Sequence, residues 1–251
     1  MNDGEIAYHK DAIKPWECIK EGWNLIDAQY GLFIMLVALG MLISLAPWGL
    51  LVGPMTCGIY LCLLARLNQR KTEGQMLFQG FNFFQPSLVA TIIYSLPISL
   101  ITVPVSISFQ SRVEALERSL QAQVGIGQLT SVQIHELLVL AGTMFGAALL
   151  RNTVIQFLGM FTYPLIVEYQ MNAWSAVKLS FKAAFDNMFG LLGLIILTTI
   201  INFLSICCCL VGVLFTLPLQ YAAWAVAYRQ VFPAPKLTNS PVENSEEEDV
   251  S

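Results

Sequence analysis

Charge is what this chain has least of. Asp, Glu, Lys and Arg make up 12% of its 251 residues, about half the share usual in a soluble domain. Hydrophobic residues make up 56% and the mean hydropathy is +0.63. So few charges cannot give a globule a polar surface, and the expectation is an integral membrane protein. Histidine is scarcer still. His9 and His135 are the two histidines of the chain, one in the N-terminal segment and one between apolar runs, so no His-containing metal cluster or catalytic dyad is expected. Serines and threonines are frequent, yet none stands in a setting with a basic residue that would activate it as a nucleophile. No stretch reads convincingly as a strand, which excludes a strand-to-helix phosphate loop. A basic stripe is missing too, and with it a nucleic-acid partner; the net charge of −4 comes from the acidic "VENSEEEDV" near the C-terminus. A cleavable leader is not expected either. The first apolar run starts at Gly31, after a segment carrying Asp3, Glu5, Asp11, Glu17 and Glu21, and it is long enough to span rather than be removed. These absences assign no catalytic residue, no metal and no cofactor, and the reading is that the chain is not an enzyme.

What is present is a succession of apolar segments. A transmembrane helix needs about 20 mainly apolar residues, and six segments qualify: about 31–46, 49–67, 87–109, 153–170, 189–206 and 211–228. The run "LLVLAGTMFGAALL" within residues 131–150 is short for a span. It reads as a surface-lying helix, a re-entrant one, or the first half of a long helix continuing through Arg151 and Asn152. Lys and Arg accumulate on the cytoplasmic side of bilayers. With the N-terminus inside, six crossings leave only Arg112, Arg118 and Arg151 outside, so both termini are expected in the cytoplasm.

The segments between spans are themselves patterned. In "KPWECIKEGWNLIDAQYG", Trp16, Ile19, Trp23 and Ile26 recur at helical spacing. In "NAWSAVKLSFKAAFDNMFG" the same holds for Trp174, Val177, Phe181 and Phe185, with Lys178 and Lys182 beside them. In "EGQMLFQGFNFFQP" the series is Leu77, Phe81 and Phe84, with Phe78 adjacent, and Gly74 and Gly80 weaken it as a helix. Each segment precedes a pair of spans, so the expected fold is all-α: a six-helix membrane bundle of three hairpins, each introduced by an amphipathic interfacial helix. Pro54, Pro164 and Pro218 fall in the returning helix of each pair. Aromatic faces of this kind lie in the plane of the interface. Trp16, Trp23, Phe78, Phe81, Phe84, Trp174, Phe181 and Phe185 are therefore the candidate interfacial anchors, serving either as collars that orient the hairpins or as a docking or lipid-sensing surface.

Residues 1–30 form the N-terminal cytoplasmic segment in this reading, 31–232 the membrane domain, and 233–251 a disordered acidic tail. Outside the membrane, about 110–150 is expected to hold a short amphipathic helix, a turn at "GIGQ" and a second helix starting near Thr130 or Ser131. The candidate buried polar groups are Arg151, Gln156, Glu168, Asn202 and Gln220. Seventeen residues of helix, about 25 Å, separate Arg151 from Glu168, so these two mark opposite membrane faces, while Asn202 and Gln220 read as interhelical hydrogen bonds. The cysteines divide among Cys18 in the cytoplasm, Cys57 and Cys62 in the second span, and Cys207, Cys208 and Cys209 at an outer turn. That distribution does not make a disulfide framework, although a bond from Cys57 to the triplet stays open.

The runs "GPMTCGIYLCLLARL…LFQGFNFF" and "AVKLSFKAAFDNMFGLLGL…LPLQYAAWAVAYRQVF" resemble those of a broad set of uncharacterised bacterial polytopic membrane proteins. That set includes the domains of unknown function related to the membrane domain of glycerophosphoryl diester phosphodiesterases. The resemblance covers Trp16 to Phe232 and implies six helices in a bacterial cytoplasmic membrane; the phosphodiesterase barrel is absent and no catalytic residue carries over. Two functional classes follow. One is a non-enzymatic multi-pass protein that organises or assists partner proteins or envelope lipids, with the bilayer and a membrane or cytoplasmic protein as partners. The other is a small-solute or ion transporter, for which few mid-membrane polar residues are available; a lipid-modifying enzyme comes third.

Overall fold

The computed structural model describes residues 6–44, 50–122, 131–208 and 212–234, and every regular element among them is helical. Nine α-helices follow one another among these residues: α1 (Pro15–Ile26), α2 (Tyr30–Ser44), α3 (Val52–Leu67), α4 (Phe84–Ala122), α5 (Ser131–Gly159), α6 (Thr162–Tyr169), α7 (Ala173–Asp186), α8 (Met188–Cys208) and α9 (Gly212–Val231). A 3-10 helix, Gly74–Phe83, leads into α4. The turns at "APWG" and "GIGQ" and the acidic tail lie outside the described residues.

Four stretches are long and apolar enough to cross a membrane: Pro15–Ser44, Gly74–Leu100, Ile134–Tyr169 and Met188–Cys207. The protein is thus all-helical with the composition and helix lengths of a membrane protein. Six such spans are expected from the sequence, and two of the six fall short of this measure. α3 is apolar but only 16 residues long, below the roughly 20 needed to cross the hydrocarbon core. α9 has 20 residues but carries Gln220 and Arg229 along it.

α3, α6 and α9 form the interior. Their buried residues run almost unbroken, from Gly53 to Ala65 in α3 and from Thr162 to Val167 in α6, and α9 buries its alanines Ala222, Ala223, Ala225 and Ala227. All three prolines, Pro54, Pro164 and Pro218, are buried here. Proline is tolerated early in a helix because the first turn leaves its N–H groups unpaired anyway, and Pro54 and Pro164 each occupy the third position of their helix.

The segments ahead of the spans pack onto this interior in a cyclic order. The 3-10 helix lies on α3, α7 lies on α6, and α1 lies on α9. The ring is closed by the first helix meeting the last.

The segment after the third expected span departs from expectation. α4 does not end near Phe109; it runs unbroken for 39 residues, about 58 Å at 1.5 Å per residue. Pro97 and Pro104 lie inside it, and Ser108 Oγ donates to the Pro104 carbonyl at 2.9 Å. Of the three readings of 131–150, the long helix is the one observed, since α5 passes straight through Arg151 and Asn152. The expected fourth span is instead divided at Met160 and Phe161, where α5 gives way to α6. The far parts of α4 and α5 form an antiparallel pair whose side chains are mostly exposed.

Candidate functional site

Three helical segments carry the candidate anchors, and each sits on the bundle through its smallest residues. In α1 the inward edge is Cys18, Gly22 and Ile26. A Cβ on Gly22 would stand 2.8 Å from the Ala223 nitrogen, so glycine is what lets the α1 and α9 backbones meet. Ile26 therefore faces the bundle, not the aromatic face to which its spacing assigns it, and Ile19 lies between the two. Trp16 and Trp23, two turns apart, project outward, and Trp23 meets Tyr30 at 5.3 Å between ring centroids.

"EGQMLFQGFNFFQP" adopts the tighter helix, with consequences for its faces. A 3-10 helix has three residues per turn, so residues three apart are eclipsed. Leu77, Gly80 and Phe83 form the row facing the bundle, while Phe78, Phe81 and Phe84 form an exposed ridge. Leu77 is fully buried and so leaves the face shared by Phe81 and Phe84. Contact with α3 is backbone against backbone: a Cβ on Gly58 would lie 2.1 Å from the Leu77 carbonyl oxygen, and one on Gly80 would lie 2.2 Å from that of Pro54.

α7 buries Ala173, Ala176, Ser180, Ala183 and Ala184, and Ser180 Oγ donates to the Leu158 carbonyl at 2.9 Å. Trp174, Phe181 and Phe185 are on the other side, the last two 4.6 Å apart. Across the three segments all eight candidate anchors are exposed, from 38% for Phe81 to 71% for Trp16. A notch of about 450 Å³ opens between the start of α4 and the α6–α7 link, lined by Phe83, Gln85, Gln170, Asn172 and Trp174 among others.

The candidate buried polar residues separate into groups. Asn202 Nδ2 donates to Gln220 Oε1 at 2.5 Å, and Thr216 Oγ1 donates to Asn202 Oδ1 at 2.7 Å, joining α8 to α9. Glu168 accepts from Arg229 Nη2 at 2.7 Å and from the Tyr228 hydroxyl at 2.6 Å. This ion pair is largely buried, with the side chains 8% and 18% exposed. Arg151 is exposed, as is Asn152, so Arg151 is not a buried group. The Gln156 side-chain oxygen Oε1 is buried with no hydrogen-bond partner among the described residues.

Two arrangements are not legible in the spacing of the sequence. One is a hydroxyl cluster inside the bundle, where the Tyr163 hydroxyl meets that of Tyr94 and lies 2.9 Å from Thr91 Oγ1. The other is a strap formed by the residues before α1. The His9 N–H donates to the Val231 carbonyl at 2.9 Å and the Ala12 N–H to Asn187 Oδ1 at 2.9 Å, while Asn187 Nδ2 returns a bond to the His9 carbonyl at 3.1 Å. The Tyr8 hydroxyl donates to Asp186 and holds that carboxyl below its usual range, helped by Lys10 at 3.3 Å. The adjacent polar pair Asp186–Asn187, at the joint of two apolar helices, is the signal that would have found the strap's seat.

Cys18, Cys57 and Cys62 are buried free thiols and Cys207 is an exposed one. Among the described residues no three His, Cys, Asp or Glu side chains converge as metal ligands. Comparison with known proteins finds no matching family model, no matching curated protein and no matching solved structure.

Proposed function

We propose that this chain is a multi-pass protein of the bacterial cytoplasmic membrane. In this reading it crosses the bilayer six times as three hairpins with both termini inside, and it organises or assists partner proteins or envelope lipids through its aromatic collar. The observation that carries the reading is the division of labour in the three collar segments: glycine and alanine seat them on the bundle, and eight aromatic side chains point away from it. Exposed aromatic side chains on the outer faces of such helices suit a membrane interface or an interaction site. The cyclic packing of collar upon returning helix supports the threefold repeat, as do the three buried prolines. The resemblance to the membrane domain linked to glycerophosphoryl diester phosphodiesterases belongs to the same proposal. Inside the bundle the polar groups Asn202, Gln220 and Thr216 bond one another, as do Glu168, Arg229 and Tyr228, an arrangement that favours holding helices together over conducting a solute.

The test is purification in native lipid followed by mass spectrometry, for the wild type and for the triple variant Phe78→Ser, Phe81→Ser, Phe84→Ser. The expected result is a variant that inserts and folds but no longer retains the protein or lipid that accompanies the wild type. A variant that fails to insert would reduce the collar to an anchor, and a wild type that retains only a polar solute would overturn the reading.

A further inference from the structure

We propose that the outer part of the α4–α5 pair holds a binding site for one amphiphile with a zwitterionic, phosphate-and-amine headgroup. A cleft of about 660 Å³ lies between the two helices, lined by Val105, Phe109 and Arg112 from α4 and by His135, Glu136, Leu140 and Met144 from α5. Ligand sites of about 300–1,000 Å³, mostly apolar with a few polar groups that fix orientation, are the usual pattern.

The cleft carries its charges at one end; the hydroxyls elsewhere in its lining, Ser108 and Thr143, donate to carbonyls of their own helices, at Pro104 and Leu140. The helices are antiparallel, so Arg112, His135 and Glu136 come together at the distal end and Val105 and Met144 lie at the end nearer the bundle. Glu136 to Met144 is eight residues, about 12 Å of helix. A molecule with a charged head and an apolar chain matches that arrangement when it lies along the helices, head outward.

The charges select the head. Glu114 and Arg118, on the same helix as Arg112, pair with each other at 3.1 Å. Arg112 and Glu136, by contrast, have no ion-pair partner among the described residues. A purely anionic head would satisfy Arg112 but face the Glu136 carboxylate, and a purely cationic head would meet the reverse conflict. A phosphate set against Arg112 and an ammonium set against Glu136 leave neither opposed, and arginine suits phosphate through its forked donors. His135 supplies one further donor at the same end. The site is separate from the collar and does not rest on it.

The test uses the full chain, purified in a non-ionic detergent, stripped of lipid and titrated with phosphatidylethanolamine or phosphatidylglycerol under native mass spectrometry. The wild type is expected to take up one phosphatidylethanolamine and to prefer it. Arg112→Ala and Met144→Trp, the second of which fills the cleft, are each expected to weaken it roughly tenfold or more. Glu136→Gln is expected to lose the preference between the two lipids, and Arg118→Ala to bind as the wild type does. Equal binding of both lipids by the wild type, unchanged binding by M144W, or a hairpin-mediated dimer that takes no lipid would overturn the proposal. Should M144W fail to fold, Arg112→Ala and Glu136→Gln, which change exposed side chains, decide the matter by themselves.

Discussion

Gly74 and Gly80 look equivalent in the sequence, two breaks in one amphipathic segment, and the structure gives them opposite meanings. Nothing lies within 4 Å of where a Cβ on Gly74 would be, whereas one on Gly80 would strike the Pro54 carbonyl and the Gly58 nitrogen. Backbone atoms cannot move aside as a side-chain tip can. Gly80→Ala is therefore expected to destabilise the protein by about 2–3 kcal/mol, the upper range for overpacking, and Gly74→Ala to be neutral within about 0.5 kcal/mol. Equilibrium unfolding of both variants in detergent checks the contrast; equal stabilities would mean that the 3-10 segment does not press on α3. The sequence showed both glycines but not which of them α3 would meet, because close approach is a property of the neighbour.

At the scale of elements, the positions of the helices were legible and their faces less so. Every expected span contains a helix, since a run of apolar residues is a strong local signal. In α1, though, the aromatic stripe and the bundle-facing stripe are both apolar. Where the solvent is lipid, hydrophobicity does not separate the two, and small residues mark the packed side instead. Cys18 and Gly22 were the better guide, and Ile26 follows them inward. Junctions between elements depend on pairs that sequence distance hides. Arg151 and Glu168 are too far apart to meet, and the true partner of Glu168 is Arg229 in α9. Removing one member of a buried pair strands the other charge, so Glu168→Leu alone is expected to cost about 3 kcal/mol and Glu168→Leu with Arg229→Leu much less. A double-mutant cycle on thermal or denaturant unfolding measures this; additive losses would show that the pair contributes no coupling between α6 and α9.

For the whole molecule, the proposed six crossings predict which connecting segments face which side of the membrane. Single cysteines replacing Arg70 and Glu114, in a background without Cys207, Cys208 and Cys209, are expected to behave oppositely towards a membrane-impermeant thiol reagent in intact cells. Glu114→Cys is expected to react and Arg70→Cys to be shielded; the same response from both would dismantle the six-crossing arrangement. The long reach of α4 is not legible in the sequence because its charged stretch after Phe109 suggests a new element, and nothing local marks the absence of a break. Nor is the strap, because its partners, at Asp186, Asn187, Gln230 and Val231, lie more than 170 residues away. That distance bears on how the protein is made. Chains emerge from the ribosome N-terminus first and fold as they emerge, yet here the first helix has its seat on the last. The seats of residues 6–26 lie at the Asp186–Asn187 joint and on α8 and α9, so the opening segment of this protein is placed only after its closing helices have been delivered, and a chain stopped before Asp186 is left with its opening helix and no place to put it.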